Sequence, residues 1–270
     1  MFENVSETIT VMGVLNVTPD SFSDGGKYSN LDSGLQHALK MIAQGATIID
    51  VGGESTRPGA AAVSVTEELD RVIPIIEKIK QNSDVVISID TSKPEVMQQA
   101  VNAGASLVND VNALQADSAV EIVSQLNVSV CLMHMQGLPK SMQQSPQYSD
   151  VVKNIKVFLQ QRIECCLQAG INQTKIIIDP GFGFGKTVND NLVLLKYLKE
   201  FKSLGQPILA GLSRKSMLAS ITDRTVENRL AGSLALATLA VLSGASIVRV
   251  HDVAETIDVI KVIQATQSAQ

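Results

Sequence analysis

Polar residues stand where apolar, β-branched runs of this chain stop. Asn16, Asp50, Asp90, Asn109, His134, Asp179 and His251 each close such a run, and Lys215 follows another. Asp90, Asn109 and Asp179 are acceptors suited to a neutral heterocycle with several N–H donors, because a site built on buried acceptors rejects ligands that lack the matching donors. Arg57, Lys215, Arg249 and His251 suit an oxyanion such as phosphate or diphosphate, since arginine gives forked donors and lysine a point charge. One ligand with both features would account for both sets. The densest stretch is IIIDPGFGFGK at 176–186. Its isoleucines read as a strand buried on both faces. Pro180 stops regular structure, and the glycines let backbone approach a ligand closely. The plainer alternative is that Asp179 only caps its loop.

These residues meet only if the runs are neighbouring parallel strands. Strands are expected at 11–16, 47–51, 85–90, 106–110, 129–133, 176–179, 207–212 and 246–250. Helical spacing and capping signals predict helices between them. Asp32 is expected to cap the first and Gly45 to end it. Ser64 with Glu67, and Ser92 with Glu95, read as capping boxes. Further helices are expected at 117–126, 149–169, 189–202, 228–242 and 253–265. The 228–242 helix is rich in Ala and Leu and poor in charge, which suits burial or a subunit interface. Alternating βα units imply a parallel sheet. Eight of them in about 250 residues predict a single (β/α)8 TIM barrel domain over 1–270, with a doubly wound open sheet as the alternative. Ligands bind at the C-terminal strand ends in either. Two long loops follow the first and second strands, and Asp50 and Glu54 are expected to order the second.

Of the 270 residues, 45% are hydrophobic, which argues against disorder. The net charge of −5 gives no global attraction for nucleic acid or an anionic membrane. No run approaches the ~18 apolar residues of a membrane span, and the first ten residues lack the pattern of a signal peptide. A cytoplasmic protein with no membrane or nucleic-acid partner is therefore expected. The three cysteines are odd in number and form no CxxC, so reduced thiols are expected. Several sharper motifs fail. GFGFGKT is not a P-loop, because three residues separate Gly181 from Gly185 where four are required. It is not GxGxxG either, and HExxH is absent. His37, His134 and His251 are too far apart for a zinc motif. Asp20 and Asp24 either bind Mg²⁺ or form turns.

Taken together, the motifs carry a resemblance. They are MGVLNVTPDSFSDGG at 12–26, DVGGESTRPGA at 50–60, SIDTSKP at 88–94, NDV at 109–111, MHMQG at 133–137, DPGFGFGK at 179–186, GLSRKS at 211–216 and RVHDV at 249–253. In this order, over nearly the whole length, the chain resembles the dihydropteroate synthases, pterin-binding TIM barrels and sulfonamide targets. The resemblance implies condensation of (7,8-dihydropterin-6-yl)methyl diphosphate with 4-aminobenzoate, giving 7,8-dihydropteroate and diphosphate for folate synthesis. It implies pterin contacts from Asp90, Asn109, Asp179 and Lys215. It implies diphosphate contacts from Asn16, Arg249 and His251, with Mg²⁺ as cofactor on Asn16. Phe22, Thr56, Arg57, Pro58, Phe184 and Ser216 would shape the aminobenzoate site. The loops 17–30 and 52–64 would close over it, and the family suggests a homodimer. Two other readings compete: a pterin-binding methyltransferase serving a corrinoid acceptor, and a binding-only paralogue. The first would not need Arg57 or SRKS; the second would have lost loop or anion residues, and none is lost.

Overall fold

Period-two alternation in the β-branched runs decides which side chains enter the barrel. The structure is a computed structural model that describes residues 9–17, 27–55, 62–137, 142 and 146–269, with 27–30 as backbone only. The strands are β1 Thr10–Asn16, β2 Ile48–Gly52, β3 Val86–Asp90, β4 Leu107–Asp110, β5 Ser129–Met133, β6 Ile176–Asp179, β7 Leu209–Ala210 and β8 Ile247–Val250. All are parallel, in the order β6-β5-β4-β3-β2-β1-β8-β7. A bridge between Ile178 and Ile208 joins the two ends and closes the barrel. The (β/α)8 expectation is met.

Met12, Ile48, Leu107, Cys131, Ile177, Leu209 and Ile247 form one apolar plug inside the barrel, with Val86 packed on it. Successive side chains on a strand alternate faces, so residues two further on point the same way. Two steps along lie Asp50, Ser88, Asn109, Asp179 and Arg249, with Val14, Met133 and Gly211 between them; four steps along, Asn16, Gly52, Asp90 and His251 follow on β1, β2, β3 and β8. Sequence arithmetic thus stacks a polar layer above an apolar one at the C-terminal end. The alternate strand residues, such as Val11, Ile49, Ile87, Val108, Val130, Ile178 and Val248, enter the larger core under the helices.

The helices are α1 Lys27–Ala43, α2 Val65–Asn82, α3 Pro94–Ala103, α4 Ala119–Leu126, α5 Val151–Gln168, α6 Val188–Lys196, α7 Met217–Thr222, α8 Leu230–Leu242 and α9 Val253–Ser268. Ser64 and Glu67 form the expected capping box. Two capping expectations are corrected. Helix α1 begins five residues before Asp32, which lies within it and pairs with Lys78 at 2.5 Å. Ser92 does not cap α3: Lys93 is the N-cap without a side-chain bond, and Pro94 starts the helix, its missing N–H costing nothing there. The expected 189–202 helix divides into α6 and a 3-10 helix, Leu198–Leu204. The short α7 follows β7, with Ser216 as its N-cap residue. Among the described residues no helix is long and apolar enough to cross a membrane.

Candidate active site

At the centre of the mouth one guanidinium holds two carboxylates. Arg249 Nε donates to Asp50 Oδ2 and Nη2 to Asp90 Oδ2, both at 2.6 Å. Asn109 Nδ2 donates to the same Asp50 oxygen at 3.1 Å. The acidic and basic sets are therefore interleaved, with Asp90 paired to Arg249. Asp50 was misread. It is fully buried and orders the barrel mouth, leaving Glu54 to order the second loop. It stands two residues beyond the plug residue Ile48, so its side chain enters the barrel on the same side. Asp50 Oδ1 and the neighbouring Ser88 Oγ are buried with no hydrogen-bond partner among the described residues. Burial pushes Asp90 well above the usual carboxylate range, opposed by Arg249 and reinforced by the charge of Asp50.

Asp179 closes β6, buried, and its Oδ1 accepts the Gly181 N–H at 2.7 Å. Burial raises its pKa; that hydrogen bond and the charge of Lys215 pull it back. The loop after Asp179 lies against the end of β5. A Cβ on Gly181 would sit 1.9 Å from His134 O, and one on Gly185 2.2 Å from Gln136 O. Lys215 Nζ stands 4.2 Å above the centroid of the half-buried Phe184 ring, a cation–π contact. Burial and the charge of Arg249 lower Lys215 to about 8, against the pull of Asp179 and Asp90. Asp90, Asp179, Lys215 and Arg249 thus share one electrostatic environment.

His251 Nδ1 lies 3.0 Å from Ser213 Oγ, and its backbone N–H donates to the same oxygen at 3.3 Å. The Ser213 hydroxyl can accept the backbone N–H and donate to Nδ1, the tautomer in which Nε2 carries the proton. Burial and Arg249 hold His251 down at about 4, so the ring is neutral at neutral pH. Arg214 grips Asp252 through two bonds, Nε to Oδ2 at 3.0 Å and Nη2 to Oδ1 at 2.5 Å, fixing this side of the mouth. Ser216 is exposed at the start of α7 and makes no side-chain capping bond.

Beneath the β6 loop lies Lys186, which sequence reasoning met only as part of a failed P-loop. It is 2% exposed, and Nζ donates to the carbonyls of Gly181 (2.7 Å), Phe184 (3.0 Å) and His134 (3.3 Å). His134 Nδ1 is 3.1 Å away. His134, directly after β5, is buried with its ring edge-on to Phe158.

Glu54, at the base of the second loop, accepts the Val63 N–H at 3.0 Å and pairs with Lys93, which also reaches the buried Glu68. Phe22, Thr56, Arg57 and Pro58 lie outside the described residues, as do Asp20 and Asp24. Among the described residues no group of three His, Cys, Asp or Glu side chains could cage a metal. That donor set still fits Mg²⁺ in one respect. This ion commonly takes one or two protein oxygens and completes its shell with phosphate and water. Asn16 supplies such an oxygen: its Oδ1 lies at the rim, 3.4 Å from where a Cβ on Gly52 would be.

Residues 12–251 match the family model described as pterin binding enzyme. The dihydropteroate synthase of Escherichia coli strain K12 is 52% identical over 260 residues, covering 96% of this chain and 92% of that one. That of Haemophilus influenzae is 52% identical over 259 residues, covering 96% and 94%. The Yersinia pestis dihydropteroate synthase, solved with a sulfonamide drug, superposes with a TM-score of 0.93 at 51% identity, over 98% of this chain and 96% of that one. The Xanthomonas albilineans enzyme in complex with 7,8-dihydropteroate superposes with a TM-score of 0.89 at 45% identity, over 98% and 95%.

Proposed function

This chain belongs to the pterin-binding enzymes of the dihydropteroate synthase family, and from that footing we propose that it condenses (7,8-dihydropterin-6-yl)methyl diphosphate with 4-aminobenzoate. The products are 7,8-dihydropteroate and diphosphate, made for folate synthesis. The observation that carries the reading is the cluster of buried acceptors and cations at one mouth, in which Arg249, Asp90, Asp50 and Asn109 are joined directly.

Asp179 accepts N–H groups from the pterin edge, as it already accepts one from Gly181. Lys215 donates to the ring carbonyl, and Asp90 and Asn109 complete the frame. The methylene–oxygen bond breaks with its electron pair leaving on the diphosphate, and positive charge spreads from the methylene into the pterin. Two of the Arg249 N–H groups hold Asp50 and Asp90, and a guanidinium has five, so its fork has further donors to offer the departing anion. Neutral His251 offers Nε2–H to the same anion. Preformed donors aimed at developing charge need no reorganisation in the reaction, which is why such stabilisation is effective. The amine of 4-aminobenzoate then attacks the methylene and loses a proton. A dissociative step of this kind needs no strong base, and no side chain need act as one.

Asn16 would hold Mg²⁺, which when bound neutralises diphosphate charge and helps it leave. Phe184 and Ser216, with Phe22, Thr56, Arg57 and Pro58, form the aminobenzoate subsite, the one a sulfonamide would contest. The protein works in the cytoplasm as a homodimer. The face of α8 bearing Ala231, Ala235, Leu239 and Leu242 is exposed and carries no charge, with Leu239 and Leu242 51% and 59% accessible. Such a stripe suits a second copy.

The test mixes purified protein with the pterin diphosphate, 4-aminobenzoate and Mg²⁺, following both products, with EDTA as control. Equal, Mg²⁺-dependent amounts of dihydropteroate and diphosphate are expected. A folded protein that binds pterin and forms neither product would overturn the reading and direct attention to folate-methyl transfer onto a corrinoid acceptor.

A further inference from the structure

A lysine buried to 2% is unusual, because removing an ammonium from water costs several kcal/mol unless acceptors replace the water. For Lys186 the replacement is specific. Three backbone carbonyls converge on Nζ: Gly181 O and Phe184 O from the β6 loop, and His134 O from the end of β5. Carbonyl oxygens only accept, and His134 Nδ1 accepts in the tautomer that carries its proton on Nε2. The group they surround must donate. Burial lowers Lys186 to about 7 against the pull of Asp179, and three inward carbonyls favour the ammonium, which has three protons to give, over the amine, which has two. This is the surrounding that a small monovalent cation would also select.

The loop could not gather these carbonyls by itself. Oxygens pointing at one spot repel, and Gly181 and Gly185 hold positive φ of 73° and 62° with no room for a side chain. The N–H side of the same loop is fixed separately. Gly181 N–H goes to Asp179 at 2.7 Å, and Gly183 N–H to the buried Asn191 Oδ1 at 2.7 Å. Tyr148 OH donates to Gly185 O at 2.8 Å. Lys186 therefore occupies the one position from which the carbonyls facing inward are satisfied together. On the opposite side the loop presents Phe184 to Lys215.

We propose that Lys186 is a positioning residue whose ammonium acts as a built-in cation, drawing the His134, Gly181 and Phe184 carbonyls together so that the β6 loop holds Asp179 and Phe184 in binding geometry. The inference rests on the reading of this mouth as a pterin and aminobenzoate site. Lys186 touches neither ligand, and its effect is on affinity for both.

The experiment compares wild type with Lys186→Met, which keeps the stem and removes the charge, and with Lys186→Ala, which removes a propylammonium-sized fragment. Pterin affinity is measured by calorimetry, and KM for 4-aminobenzoate and kcat by the coupled assay. Thermal melting confirms that each variant is folded. Loss of bonds to a charged donor predicts that Lys186→Met weakens pterin binding about tenfold and raises the KM for 4-aminobenzoate by a similar factor. Since the group acts before chemistry, kcat changes less than either. Adding n-propylammonium to Lys186→Ala should recover affinity in a saturable way, while tetramethylammonium at equal ionic strength should not. Binding and KM within twofold of wild type in folded Lys186→Met would overturn the proposal. So would weakened binding in Lys186→Ala that propylammonium leaves unchanged. If Lys186→Ala does not fold, Lys186→Met decides alone. Absence of product from wild type would instead count against the reading of the site, and the pterin-binding comparison would still test Lys186.

Discussion

Asp50 shows how one side chain can serve two subsites without touching either ligand. Its Oδ2 receives both Arg249 Nε and Asn109 Nδ2, so a group assigned to the diphosphate and one assigned to the pterin are aimed by a single oxygen. Asp50→Asn keeps the volume and removes the charge, turning one oxygen into an NH₂ that faces donors. Removing one partner of a buried charge pair costs about 3–5 kcal/mol when the other charge is left unpaired. Here Arg249 retains Asp90, so the loss should be smaller. Steady-state kinetics should show kcat/KM for the pterin diphosphate falling about a hundredfold, with the KM for 4-aminobenzoate little changed. A loss confined to 4-aminobenzoate would contradict the assignment. The acceptor and cation residues of this cluster were legible from their places at strand ends. The pairing of Asp50 was not, because its partner Arg249 lies 199 residues away on β8, which flanks β1 on the side opposite β2.

At the scale of elements, the loop leaving β6 is the most constrained part of the mouth. Gly181 has a φ of 73°, and a methyl group there would meet His134 O at 1.9 Å. Both obstacles are backbone, so neither yields by a side chain turning aside. Gly181→Ala should lower stability by about 3 kcal/mol or more, read by denaturant unfolding, and should abolish pterin binding in the protein that remains folded. Unaltered stability would mean that the loop is held less tightly than its packing implies. Strands β5 and β6 were readable to the residue because their short apolar runs end sharply at His134 and at Asp179-Pro180. The start of α1 was hidden because Asp32 offers a cap signal inside a helix that begins at Lys27. The cap of α3 was misassigned because Ser-x-x-Glu also fits a segment whose helix is begun by proline. Strand β7 shrank from the expected 207–212 to two residues, since apolar content reports burial while ladder bonds depend on the neighbouring strands.

For the molecule as a whole, the outward stripe of α8 makes a claim about assembly. Leu242→Glu places a charge on that stripe and touches no proposed ligand contact. It should shift the protein from dimer to monomer in light scattering after size-exclusion chromatography, with melting lowered at dilute concentration. A wild type that is already monomeric at micromolar concentration would refute the homodimer. The barrel itself closes unevenly. Six strand pairs carry ladders of three residues or more, whereas β7 pairs with β8 over two residues and meets β6 at one bridge. Asp179 stands on one bank of that narrow seam and Lys215 beyond the other. A pterin held by both would span the gap as a staple spans a torn edge. Ligand would then supply cross-linking that the backbone omits, and the empty barrel would be the looser vessel, ready to part first beside the place where its cargo sits.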